Sequence, residues 1–309
     1  IMSRGLGDVY KRQVRVSCTS FSQLVNIARM LEVPQYQGAE GLRDVYESTR
    51  LDRYLRGMWD RREYARYVAV NELKSRQMTS VLGNFWHLLN PLLTIFVYWV
   101  IFGLVLKVDR GVDNFIAFLT VGVFVFAFTQ RATTQGAKSI VTNMGLLKAI
   151  RFPRALLPAS STLTEALATV PTIVVMLAVA LLSGESVTWR WLGVLPLFAL
   201  QLVFNFGAAL VVARLTHHVR DVLQVLPFFF RLLLYGSGVI FSVEAYADSS
   251  IKWLFYLNPM YDFVTLMRWC VVGGTVEPVL LPSAIVWSIL LCVFGFLWFR
   301  SAEATYGSE

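Results

Sequence analysis

Six stretches of this 309-residue chain are continuously apolar over about the length needed to cross a bilayer, roughly 20 residues per helix. That feature removes most folds from consideration. The runs do not alternate with a period of two, so they are not half-buried strands. In lipid every backbone N–H and C=O must be paired within the protein, which leaves helices or closed barrels. Unbroken runs select helices. Composition agrees, since 56% of the residues are hydrophobic and only 16% are charged, too few for a soluble shell. The expected fold is an all-α integral membrane protein with six transmembrane helices. They fall at about 85–106, 115–135, 155–182, 191–214, 222–243 and 279–299.

The loops set the expected orientation. Residues 136–154 hold Lys138, Lys148, Arg151 and Arg154 with no acid, and the next loop on that side has Arg220 beside Asp221. The opposite loops are balanced or acidic: Lys107 and Arg110 face Asp109 and Asp113, and Arg190 faces Glu185. Residues 244–278 set Lys252 and Arg268 against Glu244, Asp248, Asp262 and Glu277. Residues 1–80 carry 14 Lys and Arg against 9 Asp and Glu, so most of the +8 net charge precedes the first apolar run. Basic loops stay on the cytoplasmic side, which places both termini there. The basic balance therefore matches anionic lipid rather than nucleic acid.

Residues 1–60 read as a polar tail with room for one short helix, and residues 1–13, IMSRGLGDVYKRQ, resemble translated adapter sequence. Residues 1–30 lack an apolar core behind the basic start, so no signal peptide is expected. Residues 61–84 are expected to lie along the cytoplasmic membrane face as an interfacial helix. The membrane domain then covers 85–300, and 301–309 form a cytoplasmic tail. Residues 261–271, YDFVTLMRWCV, are apolar but half a span long. The Asn258–Pro259 step must break any helix that precedes it. With Gly273–Gly274 closing the segment, outer re-entrant helices are expected before the last span.

No sequence of the type GxxxxGK[ST], GxSxG or HExxH occurs, and Cys18, Cys270 and Cys292 have no metal-ligand spacing. No catalytic residue, cofactor site or metal site is expected in this chain. Two charges lie deep in apolar runs, Glu165 in the third span and Arg231 in the fifth, each about ten residues from the cytoplasmic end. At ~1.5 Å per residue both sit ~15 Å deep, where a lone charge costs at least ~2.5 kcal/mol. Equal depth and opposite sign suggest an ion pair, within or between subunits. It could specify packing, line a transport route or relay protons. Aromatic side chains crowd the first, second and fifth spans, and Phe124 and Phe128 share a helix face. Such faces hold sugar rings without fixed hydrogen bonds, or else simply pack against lipid.

The stretch LLKAIRFPRALLPASS, residues 146–161, sits in the basic cytoplasmic loop. Leu146, Leu147 and Ile150 fall on one face of a short helix, with Lys148 and Arg151 off it. A helix too short to be stable alone suits docking into a groove on another protein. Pro153 stops it, and Pro158 opens the next helix, where a missing N–H does no harm.

Three blocks resemble the polysaccharide exporters among type-2 ABC transporter permeases, which export O-antigen, teichoic acid or galactan-type glycans. LLKAIRFPRALLPASSTL is similar to their LxKKxxFPRxxLPxSS stretch. NELKSRQMTSVLGNFWHLLNPLLTIFVYWVIFG places Ser80, Leu82, Gly83, Trp86, Asn90, Pro91, Phe102 and Gly103 in their SxLGxxWxxxNP…FG pattern. LNPMYDFVTLMR is similar to their outer NP-x₈-R element, through Asn258, Pro259 and Arg268. Gln77-Met78 departs from the usual aromatic-basic step. The resemblance implies a homodimeric permease, multi-pass in the bacterial inner membrane, joined to two copies of an ATP-binding subunit that holds the ATP and Mg. It would move a lipid-linked glycan. By this analogy Met144, Leu146, Leu147, Lys148, Ile150, Arg151, Phe152, Pro153 and Arg154 form the coupling element. Trp86, Tyr98, Phe102, Phe124, Phe128, Asn258, Pro259 and Arg268 become candidates for channel or gate.

Other readings make different demands. A type-2 ABC permease for a drug or small lipid would show a plain apolar cleft. A proton-coupled secondary transporter working through Glu165 and Arg231 would show inverted repeats, and the two halves of this chain show no convincing similarity. A membrane-embedded transferase would need catalytic groups that the sequence does not cluster.

Overall fold

The computed structural model describes residues 51–79, 85–101, 114–149, 152–243, 249–303 and 306. Among these residues every regular element is helical. At the amino-terminal end stand α1 (Leu51–Asp60) and α2 (Arg62–Thr79). The apolar helices begin with α3 (Trp86–Tyr98), α4 (Phe115–Thr142) and the short α5 (Met144–Ala149). Then come α6 (Leu156–Leu182), a 3₁₀ turn (Trp189–Gly193) leading into α7 (Val194–His218), and α8 (Val222–Gly236). The chain closes with α9 (Ser249–Tyr256), α10 (Pro259–Val271) and α11 (Leu280–Ser301). Among the described residues four segments are long and apolar enough to cross a membrane: α4, α6, Trp189–His218 and α11. Two shorter apolar helices, Leu92–Ile101 and Val222–Gly236, occupy the first and fifth expected spans.

The helix α4 is the axis of the bundle, packed against α6, α7, α10, α3 and α8. Asn114 starts it by accepting the Ala117 N–H at 3.1 Å, which satisfies one of the orphan donors of a helix start. The helix runs seven residues past the expected end at 135. Gly136, Ala137, Ser139 and Ile140 are buried against neighbouring helices, so packing rather than hydropathy sets its length. A Cβ on Gly136 would lie 2.4 Å from the Cβ of Ala209. Absence of a side chain there lets α4 and α7 touch.

The same device joins α7 to α11. A Cβ on Gly207 would lie 2.5 Å from the backbone of Leu291 and Cys292, and one on Gly295 would lie 2.6 Å from the Gly207 carbonyl oxygen. Both obstacles are backbone, so neither yields by a rotamer change. Gly207→Val should force the helices apart and cost ~1–3 kcal/mol or more. A fall of several degrees in the Tm of the purified protein is the expected reading, and an unchanged Tm would refute this close contact.

The fifth expected span, 222–243, is not one helix. It stops at Gly236, and Gly238 takes φ +60°, a conformation that glycine adopts at no steric cost. Residues 237–240 then turn inward and are buried. Hydropathy could not separate this buried, non-helical run from a helix, because both are apolar. At the other end of the molecule a second apolar cluster joins Tyr54 and Tyr64 to Leu147, Phe152, Leu156, Phe299 and Tyr306. Helix α1, at the end of the expected polar tail, is thus docked through Tyr54.

Candidate functional site

The basic patch builds the first candidate site. Asn143 ends α4, and its side-chain N–H donates to the Ser139 carbonyl at 2.8 Å. The chain then enters α5, the short helix expected in this basic loop. Its faces are reversed from the expected arrangement. Leu147 is buried in the chain's own cluster, and Met144 and Leu146 pack against that cluster. Thr142, Gly145 and Lys148 are exposed instead. These three residues, and not the leucines, form the outward face of α5. Ile150 and Arg151 lie outside the described residues.

Helices from both ends of the chain hold this loop. Phe152 packs on Tyr64 with ring centroids 5.8 Å apart. The half-buried carboxylate of Glu303 accepts the Arg154 backbone N–H at 2.9 Å and the Tyr54 hydroxyl at 3.0 Å. The Tyr54 oxygen in turn accepts the Ala155 N–H at 3.3 Å, and the Arg154 side chain donates to the Glu303 carbonyl. Pro153 lies beside Gly57 of α1. Burial pushes the Tyr64 phenol up to about 12. The Tyr54 phenol rises too, through burial first and the nearby Glu303 charge second.

Burial also raises the Glu303 carboxyl above its ordinary value, against the lowering effect of its hydrogen bonds to Arg154 and Tyr54. A carboxyl raised in the folded state favours folding most below its unfolded pKa, and that advantage is lost as pH rises through the folded pKa. Glu303→Gln keeps an acceptor and removes the charge. Its Tm relative to wild type, read from pH 4 to pH 8, should rise as pH climbs above the ordinary carboxyl range. A difference that stays flat across that range would refute the assignment.

Deep in the bundle, Glu165 of α6 is completely buried, and its ion-pair partner is Arg131 of α4, with Nε to Oε2 at 3.6 Å. The expected pairing of Glu165 with Arg231 does not form within the chain. Arg231 lies on the exposed face of α8, its guanidinium 5.8 Å from the Phe228 ring. The two side chains point in different directions around the bundle, Glu165 into its interior and Arg231 away from it. Arg131 was the missed residue, although it satisfies the same criterion of a charge inside an apolar run. Next to Glu165, Thr164 donates to Glu72 of α2 at 3.5 Å, so the amino-terminal helix reaches the helix that carries the pair.

The Asn258–Pro259 break is present. Asn258 caps α10 by accepting the Met260 N–H at 3.0 Å, and it donates to the Gly236 carbonyl at 2.9 Å and the Ser237 hydroxyl at 3.0 Å. Pro259 stands at the first helical position, where its fixed φ suits the turn. One asparagine thus starts α10 and holds the end of α8. Arg268 is buried on α10. It donates to the carbonyls of Phe118 at 3.1 Å, Gly238 at 2.9 Å and Val239 at 2.7 Å, and lies 3.3 Å from the Phe118 ring centroid. Two of those carbonyls belong to the inward turn after α8. Arg268 supplies the donors that a helix would otherwise have given them.

The aromatic candidates divide. Phe124 and Phe128 are only 2% and 1% exposed, and Phe128 packs on Phe198 at 4.9 Å. Both belong to the chain's own core, which removes them from any channel lining. A shared helix face identified them as a pair but not what covers the pair. Phe126 is buried as well and meets Phe230 edge-on at 6.1 Å. Trp86 is exposed and Tyr98 half-buried. Phe102 lies outside the described residues.

Residues 65–272 fit the model of the ABC-2 type transporter, a range that holds α5, the Glu165–Arg131 pair and Arg268 but not Tyr54, Tyr64 or Glu303. Two O-antigen export system permease proteins RfbA of Klebsiella pneumoniae are similar. One is 29% identical over 245 residues, and the other is 27% identical over 242. Each alignment covers 76% of this chain and 92% of the relative. An O-antigen export system permease protein RfbA of Myxococcus xanthus is 27% identical over 214 residues, 69% of this chain and 82% of that protein. With a match over well more than half its length, the chain belongs to the ABC-2 type transporter family.

Proposed function

We propose that the chain is the membrane subunit of an ATP-driven exporter that carries a lipid-linked polysaccharide across the bacterial inner membrane. The observation that carries this reading is the alignment with O-antigen export permeases over nearly their whole length. The chain acts as a homodimer. Two ATP-binding subunits, which hold the ATP and Mg, sit beneath it on the cytoplasmic side, where both termini lie. All six apolar helices belong to the membrane domain, with α9 and α10 as the outer re-entrant pair. Six helices alone enclose little space, so a polymer-sized route calls for two copies around one axis.

In this reading the ATP-binding subunit presses on the exposed face of α5, formed by Thr142, Gly145 and Lys148. Leu147 and Phe152 anchor the helix to the cluster that also holds the ends of α1, α2 and α11, so the push moves a packed unit. A Cβ on Gly145 would meet no atom within 4 Å. Gly145→Trp therefore blocks a partner without disturbing the chain itself, whereas Leu147→Asp would act on its own fold. Co-purification with the ATP-binding subunit and ATP turnover with and without lipid-linked glycan give the test. Gly145→Trp combined with Lys148→Glu should weaken assembly about ten-fold or more, since each decade needs only ~1.4 kcal/mol. Unchanged assembly and turnover would refute the docking face. Glycan export without any ATP-hydrolysing partner would refute the function.

A further inference from the structure

The end of the bundle opposite α5 and the chain termini holds a cavity of about 500 Å³, within the size range of small-molecule sites, roughly 300–1,000 Å³. It opens where the start of α4, the turn after α6, the segment after α8 and the last turns of α10 converge. Arg268 and Phe118 form part of its wall. Each guanidinium nitrogen of Arg268 donates to a backbone carbonyl, so this cation braces the wall. The carboxylate at the cavity is Glu185, held by the Asn114 amide at 2.9 Å. Trp269 adds an aromatic surface, steadied by the Arg190 guanidinium 5.7 Å from its ring centroid.

Around these walls stand groups with unused hydrogen-bonding capacity. The hydroxyls of Ser242, Thr265 and Thr275 and the Trp269 indole N–H form no hydrogen bond with the described residues. An apolar ligand would leave those groups unpaired, at a cost. An anionic ligand would face Glu185, while the Arg268 guanidinium is held by three carbonyls and the Arg190 guanidinium stands against Trp269 rather than in the lining. Hydroxyls that donate and accept together, one carboxylate acceptor and an aromatic face match a neutral sugar ring.

We propose that this cavity binds one neutral sugar unit of the exported glycan as it emerges on the far side of the membrane. The assignment rests on the export reading for the identity of its ligand and on the cavity's own chemistry for its existence. The test uses the full chain in lipid nanodiscs, with mannobiose, galactobiose and cellobiose as probes and glucuronic acid and inorganic phosphate as controls. Saturation-transfer NMR and titration give the affinity. At least one neutral disaccharide should bind saturably, and Glu185→Gln and the pair Ser242→Ala/Thr265→Val should each weaken it about ten-fold. All three changes remove few atoms, and the Tm of each variant is read alongside to show that it folds.

Binding by none of the neutral disaccharides, preference for phosphate or glucuronic acid, or full binding in the triple variant would overturn the proposal. ATP turnover with the partner subunit, measured on the same preparations, separates the two readings. Sugar binding without glycan-stimulated turnover would sink the export reading and keep the cavity. Turnover without sugar binding would sink the cavity alone.

Discussion

Arg268→Ala should be among the most damaging single changes in this chain. It removes a buried cation and strands three carbonyls, of Phe118, Gly238 and Val239, away from water. Hydrogen bonds from a charged donor are worth ~1.5–3 kcal/mol each, and a buried acceptor left alone costs ~1–3 kcal/mol. A combined loss above ~4 kcal/mol follows, which places it among the exceptional substitutions and lowers Tm by about 10 °C at this chain length. Arg268→Lys should recover only part of that, because one ammonium cannot serve three carbonyls in a planar fork. Gly122→Ala approaches the same site from α4. Its Cβ would lie 2.5 Å from an Arg268 terminal nitrogen that is pinned by its hydrogen bond, so ~1–3 kcal/mol is expected. A wild-type Tm for Arg268→Ala would show that the inward turn after α8 does not depend on it.

This arginine also shows what a sequence can and cannot convey. The Asn258–Pro259 break, the short helix after it and the glycine turn at 273–274 were all readable, because each follows from a local backbone constraint. The stop of α8 at Gly236 was not. It depends on a side chain 32 residues further along the chain offering donors to residues that would otherwise have stayed helical. The position of α5 was legible from the prolines and the polar break, but its orientation was not. The wheel shows that Leu146 and Leu147 share a face; only the packing of α1, α2 and the carboxyl-terminal tail shows that this face is covered from within. Tyr54 and Glu303 lie 249 residues apart, and nothing in either local sequence announces the other. The aromatic candidates failed for a similar reason, since periodicity gives a direction without a neighbour.

The buried pair gives the other large effect. Glu165 is nine residues into α6, about 14 Å from its start at ~1.5 Å per residue. Its side chain is fully buried, whereas that of Arg131 keeps 19% of its surface exposed. Removing one member of a buried pair typically costs ~3–5 kcal/mol, whereas replacing both with apolar residues of similar size is often close to neutral. Glu165→Gln and Arg131→Met should each be severe, and Arg131→Met/Glu165→Leu should be markedly milder than their sum. The control cycle with Arg231→Gln should be additive, because that side chain is on an exposed face of another helix. Equal coupling to Arg231 and Arg131 would refute the assigned partner. The double apolar variant then separates stability from transport: it keeps the packing while removing both charges. If it folds and docks its ATP-binding partner but no longer exports glycan, the pair serves the transport cycle. If export survives, the two charges serve only to hold α4 against α6.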